Sequence, residues 1–411
     1  MKPAGLRNEM SRSLYRMPDH PAGKGKKTMK LIFAPDSFKG SLSAMESCDI
    51  LERVSARIFP DAETVSVPVA DGGEGTVDAL LRAMGGKRIS MTVTGPVFDR
   101  ITAEWGLLPD GKTAVMEMAQ ASGLPRVPAD RRDPRQTTSL GTGEMIAAAV
   151  RGGAREILIG IGGSATNDCG LGMLTALGAR FTDAEGREVR PVGGEMRRVA
   201  AADFSGLMPG LKETGITVIC DVTNPLLGEN GATFIYGPQK GATPAIRDEL
   251  EAGMASFAGV LEKTLGQDIS SFPGAGAAGG LGAALGGVLG AKLKSGIDAV
   301  LDAVGFERRL EGASLVITGE GRMDGQSIRF GKVPVGVARR CASRKIPVAA
   351  IVGGIGEGAE ELFDLCESTI QSTVSGPMSL EKAMAEAPAL YESAAERLFR
   401  AVRIGMNIKQ K

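Results

Sequence analysis

Ile157-Leu-Ile-Gly-Ile-Gly-Gly-Ser-Ala-Thr-Asn-Asp-Cys-Gly-Leu-Gly172 is the stretch that decides how this chain is read. Its first five residues form a short apolar run rich in β-branched side chains, which suits a strand covered on both faces better than a helix. Gly162 and Gly163 then remove side chains where a ligand could touch backbone, and Ser164, Thr166, Asn167 and Asp168 follow at once. From Cys169 to Leu177 the pattern is helical. The polar groups therefore fall at a strand-to-helix turn, where free N–H groups and the positive end of the helix dipole collect. Such a turn reads as an anion site with a carboxylate beside it. The plainer alternative is a turn in which Thr166, Asn167 or Asp168 caps the helix.

The same grammar recurs on both sides. Leu31 to Ala34 reads as a strand running into Pro35-Asp36-Ser37-Phe38-Lys39-Gly40-Ser41, with a helix from Ala44 to Ile58. Thr64 to Ala70 ends in Asp71-Gly72-Gly73-Glu74-Gly75-Thr76 before a helix to Met84. Ile216 to Cys220 ends in Asp221 with Asn224-Pro225 beyond it, Leu315 to Thr318 in Gly319-Glu320-Gly321-Arg322-Met323-Asp324, and Pro347 to Val352 in Gly353-Gly354. Thr369 to Val374 is a further strand, and an amphipathic helix from Ser379 to Val402 closes the chain. Strand, polar turn, helix, repeated, is the signature of a parallel α/β sheet.

Between Gly85 and Gln120 the texture changes. Arg88–Thr94, Ile101–Leu108 and Thr113–Met118 read as hairpin strands around turn residues, a helix follows from Gly141 to Arg151, and Gly178 to Val192 reads as another hairpin turning at Glu185-Gly186. Gly274 to Ala291 carries no charge and is long enough to raise a membrane span. Nearly all of it is Gly or Ala, which contribute little transfer energy, so the reading is a helix packed closely against backbone or ligand.

A chain of 411 residues is too long for one typical core and implies two domains or three. Formal charge balances to zero and aromatics are few, which removes the basic footprint and the stacking material of a nucleic-acid partner and the charge of a membrane-surface protein. The expected partner is a small molecule. Residues 1–28 hold no apolar block, so they read as a disordered extension, or as sequence upstream of a true start at Met29, and not as a secretory signal. Cys48, Cys169, Cys220, Cys341 and Cys366 are scattered, as suits a reducing, cytoplasmic location. The single histidine, His20, lies in that extension, so a general base in the core is a carboxylate, lysine, tyrosine or cysteine, and Ser-His and His-metal mechanisms are excluded.

Two motifs resemble nucleotide sites and are set aside. Gly106-Leu-Leu-Pro-Asp-Gly111-Lys112-Thr113 has the spacing of a phosphate-binding P-loop, but strands flank it on both sides where that motif needs a helix to follow. It reads as a hairpin turn. Gly160-Ile-Gly162-Gly-Ser-Ala165 fits a dinucleotide fingerprint with Asp183 near the place of a ribose-binding acid. Asp168, however, would stand beside the pyrophosphate and repel it unless a metal intervened, which favours nucleotide phosphates with Mg²⁺ over a nicotinamide dinucleotide.

What recurs along the chain is a carboxylate within a few residues of the end of an apolar strand: Asp36, Asp71 with Glu74, Asp168, Asp221, and Glu320 with Asp324. Ligands of open α/β sheets bind outside the carboxyl ends of the strands, so these groups converge on a crevice there. Phosphoryl transfer needs such a set: N–H groups and cations around phosphate oxygens, carboxylates for Mg²⁺, and one group to orient the attacking hydroxyl.

Ala34-Pro-Asp-Ser-Phe-Lys-Gly-Ser-Leu-Ser43, Ala70-Asp-Gly-Gly-Glu-Gly-Thr76, Ile161-Gly-Gly-Ser-Ala-Thr-Asn-Asp168, Cys220-Asp-Val-Thr-Asn-Pro-Leu-Leu227 and Ile317-Thr-Gly-Glu-Gly-Arg-Met-Asp324 together resemble the bacterial glycerate kinase family. The resemblance runs from about Met29 to the end. It implies ATP-dependent phosphorylation of D-glycerate with Mg²⁺, on two α/β domains, one flavodoxin-like and assembled from both chain ends (29–85 and 290–411), the other a mixed α/β domain inserted between them (86–289). Roles within the site rest on chemistry. Phosphates are expected at Gly162, Gly163, Ser164 and Asn167, with Lys39 or Lys240 supplying charge and Asp168, Glu320 or Asp324 holding Mg²⁺. Ser37, Gly72, Gly73, Asp221 and Asn224 are expected to line the substrate. Asp71 is the expected base and Asp36 the alternative. The 2- or 3-hydroxyl and a homodimer are left open, and the rival readings are a nicotinamide-dependent oxidoreductase and a non-catalytic sugar-acid sensor.

Overall fold

The computed structural model of the chain describes residues 28–38, 40–69, 75–329 and 331–408. Lys39, Asp71, Gly72, Gly73, Glu74 and residues 1–27 lie outside the described residues, so the expectations for them stand on sequence and chemistry.

The described strands are β1 (Lys30–Pro35), β2 (Glu63–Ser66), β3 (Lys87–Thr94), β4 (Arg100–Leu107), β5 (Thr113–Glu117), β6 (Glu156–Gly160), β7 (Arg180–Thr182), β8 (Ala201–Asp203), β9 (Gly215–Ile219), β10 (Lys292–Lys294), β11 (Leu315–Met323), β12 (Val348–Ile355) and β13 (Ser368–Ser372). The first sheet runs β13-β12-β11-β1-β2 and every pair in it is parallel. Ranked by chain position, its strands stand in the order 2-1-3-4-5, that of the flavodoxin-like doubly wound sheet. Its strands come from both ends of the chain. β1 shows why it sits in the middle: Leu31 and Phe33 pack with Tyr391 and Phe399 on one face, while Ile32 and Ala34 pack with Val300 and Phe306 on the other. A strand whose alternate residues are both buried needs helices on both sides.

The second sheet, β10-β9-β6-β5-β4-β3, is mixed as the sequence implies. β5, β6, β9 and β10 are parallel, and β3, β4 and β5 form antiparallel hairpins. β10 carries this sheet past residue 289.

Two helices join the sheets. Thr76–Met84 follows β2, and the N–H groups of Gly75 and Val77 both donate to Glu117 Oε1 at the end of β5, at 3.1 Å. Gly296–Ala303 follows β10, and the Gly296 N–H donates to Asp221 Oδ1 just past β9 at 2.8 Å. Val77, Leu80, Ile297 and Val300 lie in one core cluster with Ile32 and Ala34 of the first sheet and Val115 of the second. At the carboxyl edge of the first sheet Val69 N–H still donates to Pro35 O. From there to Gly75, at the carboxyl edge of the second, a fully extended chain spans about 20 Å. The carboxyl edges of the two sheets are therefore within about 20 Å of each other at this connection.

Several elements differ from expectation. The segment Gly274–Ala291 is not one helix. Ala277–Ala283 is broken by left-handed Ala278, Gly279 and Gly280, and a π-helical turn, Ala284–Val288, follows. The cause is close approach to the turn after β6, because a Cβ on Gly279 would lie 2.0 Å from the Thr166 carbonyl oxygen, and Cys169 N–H donates to Gly279 O at 3.0 Å. Small residues are there for backbone contact, as their composition implies. The helix after the turn is shorter than expected, Leu171–Ala176. β7 pairs with β8 and not across the Glu185-Gly186 turn, where a single bridge joins Thr182 to Glu188. The closing helix divides into Leu380–Ala385 and Ala387–Ile408. No described helix is long and apolar enough to cross a membrane.

Candidate active site

Among the described residues, two clefts open at the carboxyl ends of strands. The larger, of about 610 Å³, lies where β1 and β11 end, which is the switch point of the first sheet. Asp36, Ser37, Glu320, Arg322 and Lys332 line its polar side, and Phe38, Ile355, Leu380 and Met384 its apolar side. Parallel pairing sets Pro35 beside Gly319, so Asp36 and Glu320 emerge from neighbouring strands. Both carboxylates are buried, and Asp36 Oδ1 accepts the Ser37 N–H at 2.6 Å.

The smaller cleft, of about 270 Å³, lies at the ends of β6 and β9 and is lined by Gly162, Gly163, Ser164, Asp221, Tyr236 and Gln239 among others. Gly163 has φ +72°, a conformation that glycine adopts without strain. Its carbonyl accepts the Leu124 N–H, and Ala165 N–H donates to Ser122 O, so the turn is held from both sides. Asn224 does not line this cleft. Its Nδ2 donates to Asn230 O at 2.8 Å and its Oδ1 accepts the Tyr236 hydroxyl at 2.7 Å, which positions the tyrosine.

Behind the turn lies a buried polar layer that the sequence had placed at the ligand. Asp168 is fully buried, with Oδ2 accepting Ser139 N–H and Oγ–H at 2.8 Å and Gly172 N–H at 3.3 Å, while Oδ1 accepts Gly170 N–H. Burial pushes its pKa up, and the Ser139 and glycine donors pull against that shift. Asn167 is also fully buried and donates to Thr233 Oγ1 at 3.1 Å. Lys240 Nζ donates to Thr166 O at 2.6 Å. None of the three lines either cleft. Asp324 is occupied at the start of the helix Gly325–Arg329, accepting Gln326 and Ser327 N–H groups and pairing with Arg322.

Burial lowers the Lys240 pKa from 10.5 to about 7, with Asp168 acting in the opposite sense. Between pH 7 and 10 the unfolded chain then binds more protons than the folded one, so stability rises with pH in that window, and below pH 7 the cost of the buried charge is felt in full. Relative to Lys240→Met, the wild type should gain stability from pH 7 to 9 by at most about 1.4 kcal/mol per pH unit. Urea midpoints of both proteins across that range check it. A constant difference would mean that Lys240 keeps its charge when folded.

Both excluded motifs are structural. Gly106–Thr113 is the β4–β5 hairpin, closed by Asp110, which accepts the Lys112 and Thr113 N–H groups at 2.9 Å. After β6 residues 161–170 intervene before any helix, unlike the direct turn of a dinucleotide fingerprint, and Asp183 is spent on Arg187 and Arg198.

Sequence reading missed Lys332, Gly354, Met384, Tyr236 and Gln239 as cleft residues. Lys332 was legible, since it stands at the N-terminal end of the helix Val333–Ala342 without capping it, where the dipole disfavours a cation and another purpose is implied. The others carry no local signal.

Comparison with known proteins agrees with this geometry. The model of the glycerate kinase family matches residues 31–403. The chain is 52% identical over 327 residues to the glycerate 2-kinase of Escherichia coli (strain K12), covering 80% of this chain and 86% of that protein. It is 47% identical over 382 residues to the glycerate kinase of Bacillus subtilis (strain 168), covering 93% and 98%. The crystal structure of a candidate glycerate kinase 2 from Salmonella typhimurium LT2 superposes with a TM-score of 0.83 at 43% identity, covering 92% of this chain and all of that one. With the match running through both sheets, this chain belongs to the glycerate kinase family.

Proposed function

We infer that this chain phosphorylates glycerate, transferring the γ-phosphoryl group of ATP to a hydroxyl of D-glycerate. The observation that carries the reading is that both clefts lie at carboxyl ends of parallel strands, one lined by buried Asp36 and Glu320, the other by the Gly162–Ser164 turn. A donor and an acceptor can each be held at the carboxyl ends of the strands. The nicotinamide reading loses its motif, because the turn after β6 does not open a helix.

In the proposed reaction the glycerate hydroxyl oxygen attacks the γ-phosphorus, its proton passes to Asp71, and the bond to the bridging oxygen of ADP breaks. Asp36 and Glu320 are the residues that would hold Mg²⁺, which in this chemistry neutralises charge on the phosphoryl oxygens. Mg²⁺ is commonly bound by one or two carboxylates together with phosphates and water, so the donor set fits although no cluster of three ligands exists among the described residues. Asp168 is reassigned from metal ligand to positioning residue, and Lys240 from phosphate contact to support of the Thr166 carbonyl. All five cysteines are free, which supports the cytoplasm as the site of reaction.

The resemblance to a protein named glycerate 2-kinase favours the 2-hydroxyl. With Mg-ATP and D-glycerate the protein should form ADP, and the product phosphorus should be split by one proton, as on C2, and not by two, as on C3. Binding of glycerate without ADP formation would overturn the activity, and a triplet in the ³¹P spectrum would overturn the position.

A further inference from the structure

We propose that the larger cleft, at the ends of β1, β11 and β12, holds the nucleotide, with the adenosine against Phe38, Ile355, Leu380 and Met384 and the triphosphate toward Lys332, Asp36 and Glu320. This rests on the kinase reading and moves the nucleotide away from the Gly162–Ser164 turn, where the sequence had placed it.

Size comes first. Sites for ligands of nucleotide size span about 300–1,000 Å³. The cleft of about 610 Å³ lies in that range, while the other, at about 270 Å³, suits a three-carbon acid.

Chemistry agrees. Leu380 is 75% exposed, Ile355 47% and Met384 36%, so three large apolar side chains stand in water around one opening. Soluble proteins rarely concentrate exposed apolar surface except at binding sites. A flat aromatic base is a suitable cover, and methionine contacts aromatic rings well. The remaining lining offers two cations, Arg322 and Lys332, together with the two carboxylates. A nucleoside triphosphate carries the same division, apolar at the base and anionic at the phosphates. Glycerate has no apolar part to bury there.

The backbone leaves room as well. A Cβ added at Gly354 would meet nothing within 4 Å, and Gly354 lines this cleft. A side chain at that position projects into the opening and not into the core. Of these two clefts the smaller is the one that suits glycerate, with Gly163 and Ser164 beside an anionic group.

The test uses the full chain and three variants at exposed or open positions, Leu380→Asp, Met384→Glu and Gly354→Leu. Titration with ADP by calorimetry and steady-state KM values for ATP and D-glycerate are compared with wild type. The expected result is a rise of about tenfold or more in ADP Kd and ATP KM, with glycerate KM unchanged within experimental error. A rise confined to glycerate KM, an equal rise in both, or unchanged ADP affinity in all three variants would overturn the assignment. Failure of the kinase reading looks different, because the wild type would then form no ADP with glycerate.

Discussion

Asp71→Asn should lower kcat by about 10²- to 10⁴-fold, equivalent to roughly 3–5 kcal/mol of barrier, with ATP affinity near that of wild type. The expectation comes from elimination and position. The only histidine is His20, outside the family match, so the hydroxyl proton goes to a carboxylate, lysine, tyrosine or cysteine. Burial raises the thiol pKa of all five cysteines, Cys48, Cys169, Cys220, Cys341 and Cys366, which keeps them protonated and unable to accept the proton near neutral pH. Tyr391 is fully buried beneath Phe38, and burial pushes its pKa up, while Tyr236, in the smaller cleft, already donates its hydroxyl to Asn224 and has its pKa raised by burial, so neither is a ready phenolate. Lys240 is buried behind the turn. Asp71 stands in the Asp71-Gly72-Gly73-Glu74 stretch between Val69, bonded to the first sheet, and Gly75, bonded to the second. Rate and nucleotide affinity measured on the folded variant decide the role. A fall in kcat of less than about tenfold would remove Asp71 as the base. Collapse of nucleotide affinity with the rate would make Asp71 a metal ligand and exchange its role with that of Asp36, which would then be the base and not a holder of Mg²⁺.

Asp168→Ala should cost about 3–5 kcal/mol of stability, the scale seen when one partner is removed from a buried charged network. Two Ser139 donors and the N–H groups of Gly170 and Gly172 would lose their acceptor together. Lys240 would also lose the carboxylate whose charge opposes its loss of a proton. Those groups hold the segment that follows the Gly162–Ser164 turn, so activity should fall through misplacement of the turn. Urea denaturation of the variant measures the first effect. The two roles for Asp168 separate cleanly: a metal ligand would leave the midpoint unchanged and raise the Mg²⁺ concentration needed for half-maximal rate, whereas the positioning role moves the midpoint and leaves the Mg²⁺ requirement as it was.

What the sequence determined by itself is local in origin. Buried strands such as Leu31–Ala34 and Ile157–Ile161 announce themselves because both faces are apolar, and their parallel arrangement follows from the polar turns and helices after them. The hairpins from Arg88 to Met118 were legible from alternation and turn residues, and that local pattern alone excluded the P-loop match. The five motif blocks carried the family, and the family carried the reaction.

Which polar residue faces a cleft and which faces the core was decided only by tertiary structure. Ser164, Asn167 and Asp168 look alike along the chain, yet Ser164 lines a cleft while Asn167 and Asp168 turn inward to Thr233 and Ser139, partners far away in sequence. Polarity predicts a need for hydrogen bonds, not whether water, a ligand or a distant backbone supplies them. The Gly-Ala segment shows the same limit from the other side, because its composition gives close approach but only packing on the Thr166–Gly170 turn fixes the left-handed break at Ala278–Gly280. The apolar wall of Leu380 and Met384 depends on where the closing helices dock, and amphipathic spacing cannot distinguish a side chain covered by the core from one left at the mouth of a cleft.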